Sequence, residues 1–131
     1  MPPLPPRPAP SRKRRSAYRL GLRAETLAVV ALRLRGWRIL ARRYKAGSGE
    51  IDIIARKGDT IAFVEVKARA TRDAALAAIT AQGQRRIAAA ARVWQARRED
   101  ADAAVLRFDA VLVVPGRWPI HVADAFTAPQ R

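Results

Sequence analysis

Apolar residues recur at helical spacing early in the chain. Leu27 and Leu34 fall on one helical face and predict a first helix over residues 17–35. Gly36 is placed to end this helix as a C-cap. The residues before the helix contain six of the nine prolines, so residues 1–16 are predicted to form a disordered, basic, proline-rich arm outside the domain.

A second apolar stripe runs through residues 73–98, where Ile87 and Trp94 share one helical face. Gly83 interrupts this region, and glycine costs about 1 kcal/mol relative to alanine inside a helix. We therefore predict a short first helical piece and then a longer helix that begins near Thr80, a residue suited to an N-cap.

Shorter apolar runs between turn residues predict five strands. Tight turns separate the first three strands, which predicts an antiparallel meander. The element order is α-β-β-β-α-β with a short edge strand near the end, an α/β fold formed by residues 17–131. The predicted strands are Trp37–Ala46, Glu50–Arg56, Thr60–Ala68, Val105–Val114 and Ile120–Phe126.

The composition excludes several classes of protein. The chain has no cysteine, which excludes disulfides, thiolate zinc sites and thiol nucleophiles. Its one histidine, His121, excludes a multi-histidine metal cage. No apolar run approaches the roughly 20 residues of a membrane span. Without cysteine or a signal peptide, the protein is expected to be cytoplasmic and to have no membrane partner.

The charge balance favours a polyanionic partner. Lys and Arg number 26 against 11 Asp and Glu, which gives a net charge of +15. Such a basic chain suits nucleic acid. The alternative is that an arginine- and alanine-rich composition supplies only a solvated surface, and the charge alone leaves both interpretations open.

Charged residues interrupt two strongly apolar strands. Glu65 and Lys67 share one face of the third strand, about 7 Å apart. If the hairpin pairs in register, Asp52 joins them from the neighbouring strand. Two carboxylates on adjacent strands suit Mg²⁺ or Mn²⁺, and a lysine beside them can orient a water molecule and offset charge on a phosphate. The alternative is a set of exposed Glu–Lys ion pairs, which contribute about 0–1 kcal/mol each.

Five further segments occur in a linked order along the chain: Gly21 to Glu25, Gly49 to Ala55, Phe63 to Arg69, Gln84 to Ile87 and Arg107 to Asp109. Together they resemble the YraN family of small bacterial proteins. Their pattern is in turn similar to the PD-(D/E)XK nuclease superfamily, especially to Holliday-junction resolvases, over about residues 17–126. The resemblance implies a restriction-endonuclease-like αβββαβ core, a central mixed sheet flanked by two helices.

The resemblance also implies roles for individual residues. Asp52 and Glu65 match the superfamily's metal-binding acids, and Lys67 matches its catalytic lysine. Glu25 matches an acid that reaches the metal directly or through water. The helical neighbours of Glu25 are small and apolar. Without the resemblance, the sequence pattern favours a different position, an exposed Glu25 that pairs with an arginine.

On the second helix, Gln84 matches a polar residue that points at the site. The family commonly has lysine just before it, where this chain has Gly83. Arg85 or Arg86 is the candidate replacement for that phosphate contact. Because the resolvases act as dimers on two-fold symmetric junctions, the resemblance also implies a homodimer as an expectation.

Three functions remain open at this point. The first is a metal-dependent endonuclease that acts on DNA, particularly branched DNA. The second is a nucleic-acid-binding module without turnover, and the third is an interaction protein whose acids form structural ion pairs. Asp109 has no predicted role beyond an ion pair with an arginine of the second helix, and His121 is predicted to lie at the surface. The three tryptophans are predicted to be core or cover rather than base-stacking platforms.

Overall fold

A computed structural model describes the backbone of residues 12–98 and 103–127, with side chains from Arg23 onward within those ranges. The αβββαβ order predicted from the sequence is confirmed, and the predicted bounds of the third strand match those observed. The elements are α1 (Arg12–Leu34), β1 (Arg38–Ala46), β2 (Gly49–Lys57), β3 (Thr60–Ala68), α2 (Arg72–Ala77), α3 (Ala81–Ala96), β4 (Val105–Val113) and β5 (Ile120–Val122).

The five strands form one mixed sheet in the order β1-β2-β3-β4-β5. The first three are antiparallel neighbours, as the short turns predict. β3 and β4 are parallel, because the chain crosses over through α2 and α3 before it returns to the sheet. β5 pairs antiparallel with β4 at the far edge.

Helices cover both faces of this sheet. On one face α1 packs through Ala28 and Leu32 against apolar side chains of the central strands. On the other face α3 packs through Ile87 and Trp94, and α2 contributes Ala75 beside β4. The alternating strand pattern thus places two apolar layers around the sheet.

Several element boundaries differ from the prediction by one or two residues, and those of α1 and β5 differ by more. Helix α1 begins at Arg12, so five residues of the predicted arm belong to the helix. All six arm prolines precede this point, and the residues that follow include good helix formers. Residues 1–11 lie outside the described part of the chain. Strand β5 ends at Val122 rather than at Phe126, because Asp124 has a left-handed φ of 53° and turns the chain.

The predicted division of the second helical region is confirmed. Thr80 is the N-cap of α3, and its Oγ1 accepts a hydrogen bond from the Gly83 N–H at 3.0 Å. The start of β2 also lies directly against this helix. A Cβ at Gly49 would come 2.1 Å from the Arg86 carbonyl oxygen, so only glycine allows the approach. This contact brings the N-terminal half of α3 beside the strand end that leads to Asp52.

Within the described ranges, no helix combines the length and the apolar character needed to cross a membrane.

Candidate active site

The candidate site forms where β2 and β3 stop pairing. Their last registered pair is Ile53 with Val64, so Asp52 and Glu65 are not ladder partners. Beyond that pair, the Asp52 side chain takes the place of a backbone acceptor. Its Oδ2 accepts a hydrogen bond from the Val66 N–H of β3 at 2.8 Å. The side chain is thereby fixed in the gap between the two strands.

The regular alternation of β2 also breaks at this point. Ile51 and Ile54 pack on the α3 side of the sheet, whereas Ile53 packs on the α1 side. On the neighbouring strand, Arg43 has a left-handed φ of 50°, which is uncommon for a residue with a side chain. Irregular backbone on both strands therefore surrounds Asp52, and irregular strand backbone is often found beside functional sites.

Glu65 and Lys67 occupy the adjacent strand as predicted. Lys67 Nζ lies 3.1 Å from Glu65 Oε1, and both side chains are largely buried. Burial and, after it, the negative charge of Asp52 raise the pKa of Glu65 to about 7, although Lys67 opposes the increase. The lysine thus compensates only part of the local negative charge.

Asp52 experiences the same kind of environment. Burial raises its pKa above the usual value, while the Val66 N–H and the Lys67 charge oppose this effect. The charges of Glu25 and Glu50 raise it further. Asp52 and Glu65 therefore form a carboxylate pair that holds a proton readily and would be stabilised in its charged form by an added cation.

Glu25 lies near this pair but is bonded elsewhere. It is buried rather than exposed, and its two oxygens accept hydrogen bonds from Arg42 Nε at 3.1 Å and Arg43 Nε at 2.9 Å. The exposed position favoured by the helical pattern alone is therefore wrong. Across residues 12–98 and 103–127, no group of three or more acidic or histidine side chains is arranged to hold a metal ion. A metal-binding role for Glu25 stays a prediction.

The predicted nucleic-acid contacts lie in the N-terminal half of α3. Gln84 is half-buried, with its backbone N–H bonded to the Thr80 carbonyl oxygen at 2.9 Å. Arg85 and Arg86 are both exposed, and Arg86 Nε also donates to the Ser48 carbonyl oxygen at 3.5 Å in the β1–β2 turn. Contact with nucleic acid stays a prediction for all three residues.

A second buried charge cluster joins β4 and β5. Asp109 is 0% exposed and accepts hydrogen bonds from Arg107 at 2.8 and 2.9 Å and from the Asp124 N–H at 3.0 Å. His121 Nε2 lies 2.7 Å from its Oδ2, and the imidazole packs edge-on against Trp37. These partners lower the pKa of Asp109 to about 2, against the opposing effect of burial.

This cluster corrects two expectations. Asp109 pairs with Arg107 of its own strand rather than with an arginine of the second helix. Arg107 and Asp109 are two residues apart, a spacing that puts both side chains on one face of a strand. This spacing is the signal in the sequence that indicates the pair. His121 is not a surface residue, because β5 pairs with β4 and turns it toward Asp109. The sequence predicts this edge strand but does not indicate that His121 faces Asp109.

The raised pKa of Glu65 predicts a pH-dependent stability. Between its ordinary value of 4.5 and its folded value of about 7, the folded protein binds more protons than the unfolded chain. Stability therefore falls as the pH rises through this window, by on the order of 2 kcal/mol. Urea unfolding at pH 5 and pH 8 should show a smaller fall for Glu65→Gln than for the wild type. Equal falls in both proteins would contradict the assigned environment.

Comparison with known proteins gives a consistent set of matches. A model described as "Uncharacterised protein family UPF0102" matches residues 24–113, which include all the predicted site residues. A UPF0102 protein of Methylorubrum populi is 54% identical over 92% of this chain and 97% of its own length. One from Methylocella silvestris is 60% identical over 86% of this chain and 90% of its own length. One from Brucella canis is 54% identical, over 88% and 92% respectively.

Proposed function

The chain belongs to the uncharacterised protein family UPF0102, the YraN family, and we propose that it is a metal-dependent hydrolase of phosphodiester bonds in nucleic acid. The substrate class we favour is DNA, including branched DNA. The observation that supports this proposal is the partly buried pair of Asp52 and Glu65 beside Lys67.

A comparison of two acids within the chain supports a functional rather than a structural pair. Asp109 is fully buried, yet its hydrogen bonds to His121, Arg107 and the Asp124 N–H lower its pKa to about 2. Glu65 is only partly buried, yet its pKa rises to about 7, because desolvation and the charge of Asp52 raise it and Lys67 opposes the increase only in part. An acid placed for stability alone is expected to resemble Asp109. Neighbouring acids whose pKa values are both raised are typical of functional sites.

The donor set fits a hard divalent cation. Mg²⁺ or Mn²⁺ is commonly bound by one or two carboxylates, with water and substrate phosphate oxygens completing the shell. Asp52 and Glu65 supply these carboxylates, and the ion would contribute Lewis acidity and a bound water of lowered pKa. Asp52 is held in place by its bond to the Val66 N–H. The Lys67 ammonium can orient the attacking water and offset charge that develops on the phosphate.

The surroundings of the site suit a polyanion. Exposed basic side chains lie on elements that begin or end at this end of the sheet, where β2 starts and β3 finishes. Their charges would contact the phosphates that flank the scissile bond, and binding should therefore weaken steeply with added salt. These basic residues are Lys45, Arg69, Arg72 and Arg85.

A cleavage assay tests this proposal. Wild-type protein should cut end-labelled DNA in the presence of Mg²⁺ or Mn²⁺ and should not cut it in EDTA. Linear duplex, single-stranded and four-way-junction substrates would define the preferred structure. Isothermal titration with Mn²⁺ should show tighter binding at pH 8 than at pH 6, because the ion must displace the proton held by Glu65. An absence of both metal binding and cleavage would refute the proposal.

One observation favours a second candidate function. Arg42 and Arg43 occupy both oxygens of Glu25, so the third predicted metal ligand is engaged in ion pairs. A nucleic-acid-binding module without turnover would retain the basic surface and need no third acid. Salt-sensitive DNA binding by a protein that never cuts would favour this alternative.

A further inference from the structure

One tryptophan is exposed where the sequence predicts a core or cover position. Trp37 and Trp94 are each 7% exposed and belong to the two core layers, as predicted. Trp118 is 54% exposed, so the prediction is wrong for this residue. An indole left in water offers a large flat apolar surface to a partner. Trp118 also lies outside residues 24–113, the part that the family model matches.

The connection that holds Trp118 leaves the sheet at the same end as the candidate site. Strands β3 and β4 run in parallel and finish together, with Ala68 opposite Val113. Just beyond them, the Arg69 N–H donates to the Val113 carbonyl oxygen at 3.2 Å. β5 then returns antiparallel to β4, so residues 114–119 form a hairpin connection at the sheet end that includes Lys67.

This connection has a restricted backbone. The Arg117 N–H bonds to the Val114 carbonyl oxygen at 3.2 Å, and Gly116 supplies the left-handed φ of 75° that the turn needs. Pro115 and Pro119 each fix one further φ angle. A residue presented on such a turn loses little conformational entropy when it binds a partner.

The chemistry around the indole matches nucleic acid. Residues 114–119 contain no acidic side chain. Arg117 precedes the indole, and Arg69 and Arg72 follow the neighbouring strand end; all three are exposed. An aromatic face beside cations that can contact phosphates is the combination with which proteins bind unpaired bases.

We propose that Trp118 stacks on an unpaired nucleobase of the strand bound at the candidate site, an inference that rests on the nucleic-acid partner of the proposed function. Bases inside a duplex are already stacked on their neighbours and gain nothing from the indole. Trp118 therefore gives the protein a preference for single-stranded or branched DNA over fully paired duplex.

Binding measured in EDTA tests this preference without any need for cleavage. Stacking contributes about 1–3 kcal/mol per base, so Trp118→Ala should weaken the affinity for single-stranded and forked DNA by roughly 5- to 150-fold. Trp118→Tyr should retain most of the affinity, because it keeps an aromatic ring. Affinity for blunt duplex should be unchanged in both variants. Val105→Ala is the matched control, because Val105 is an exposed apolar residue at the opposite end of the sheet.

Tryptophan fluorescence provides a direct readout of the contact. Trp118 is the exposed one of three tryptophans, so single-stranded DNA should quench part of the wild-type emission, and Trp118→Phe should abolish that quenching. Equal losses of affinity on duplex and single strands would overturn the inference, as would unchanged binding by Trp118→Ala or no binding of DNA by the wild type.

Binding and cleavage together separate this inference from the proposed function. If Trp118-dependent binding occurs without cleavage, the inference stands and the hydrolase proposal fails. If Trp118→Ala cleaves single-stranded and forked DNA and binds both with wild-type affinity, the hydrolase proposal stands and the inference fails.

Discussion

Lys67→Ala is expected to lower metal-dependent cleavage of DNA by about 100- to 1,000-fold, the usual loss when one preorganised electrostatic group is removed from a reacting phosphate or carbonyl. Lys67 Nζ lies 3.1 Å from Glu65 Oε1 at the point where β2 and β3 separate. Its removal takes away the cation that opposes the pKa increase of Glu65. The carboxylate pair should then hold its proton to higher pH.

The same experiment needs a metal-site variant and a surface control. Asp52→Asn keeps the size of the side chain but removes a charged ligand, and we expect a loss of about 1,000-fold or more together with weaker Mn²⁺ binding. Lys57→Ala removes an exposed lysine where β2 ends, far from Asp52, and should cut like the wild type. Full cleavage by both Lys67→Ala and Asp52→Asn would reject the catalytic assignment.

Asp109→Ala is expected to destabilise the fold by about 3–5 kcal/mol, because it removes a fully buried carboxylate and leaves the partly buried Arg107 without its anion. Asp109 is fully buried and has bonds to Arg107, His121 and the Asp124 N–H, which connect β4 to the edge strand β5. Urea unfolding at pH 7 measures the loss. A change below about 1 kcal/mol would show that the cluster contributes little.

Two comparisons separate this effect from a general cost of mutation. Asp73→Ala removes an acid whose side chain is 96% exposed and 3.7 Å from Arg72, and its effect should stay below about 0.5 kcal/mol.

The pH dependence gives the second comparison. Because the pKa of Asp109 is lowered from 3.8 to about 2, its contribution is present above pH 4 and disappears as the pH falls toward 2. Asp109→Ala should lack this acid-sensitive component.

The sequence predicts the elements of this fold well because local patterns determine them. β3 has the same bounds in the sequence and in the structure, and Thr80 caps α3 as its position next to the helical stripe indicates. The start of α1 differs because the helix begins soon after the last proline of the arm, while the basic composition of the arm continues into the helix. Such errors concern the boundaries of elements, where neighbouring residues favour different conformations.

The candidate site was predicted less completely because tertiary contacts determine its details. The spacing of Asp52, Glu65 and Lys67 predicted which residues meet, and the structure brings the three together. The backbone pairing of β2 with β3 ends at Ile53. No local pattern in the sequence indicates that the Asp52 carboxylate replaces the next hydrogen bond between the two strands. The ion pairs of Glu25 join α1 to two arginines of β1, residues distant in sequence, and one of them, Arg43, has a left-handed backbone that no local pattern indicates.

The irregular backbone of β1 has a further consequence for self-association. β1 is an outer strand of the sheet, and an outer strand can recruit a strand from another molecule, which leads to aggregation. Its register shifts between Ile39 and Ala41, and Arg43 interrupts the extended conformation a few residues later. A straight ladder of free N–H and C=O groups is therefore not available to an approaching chain. If two copies associate, a continuous sheet joined through β1 is therefore an unfavourable arrangement.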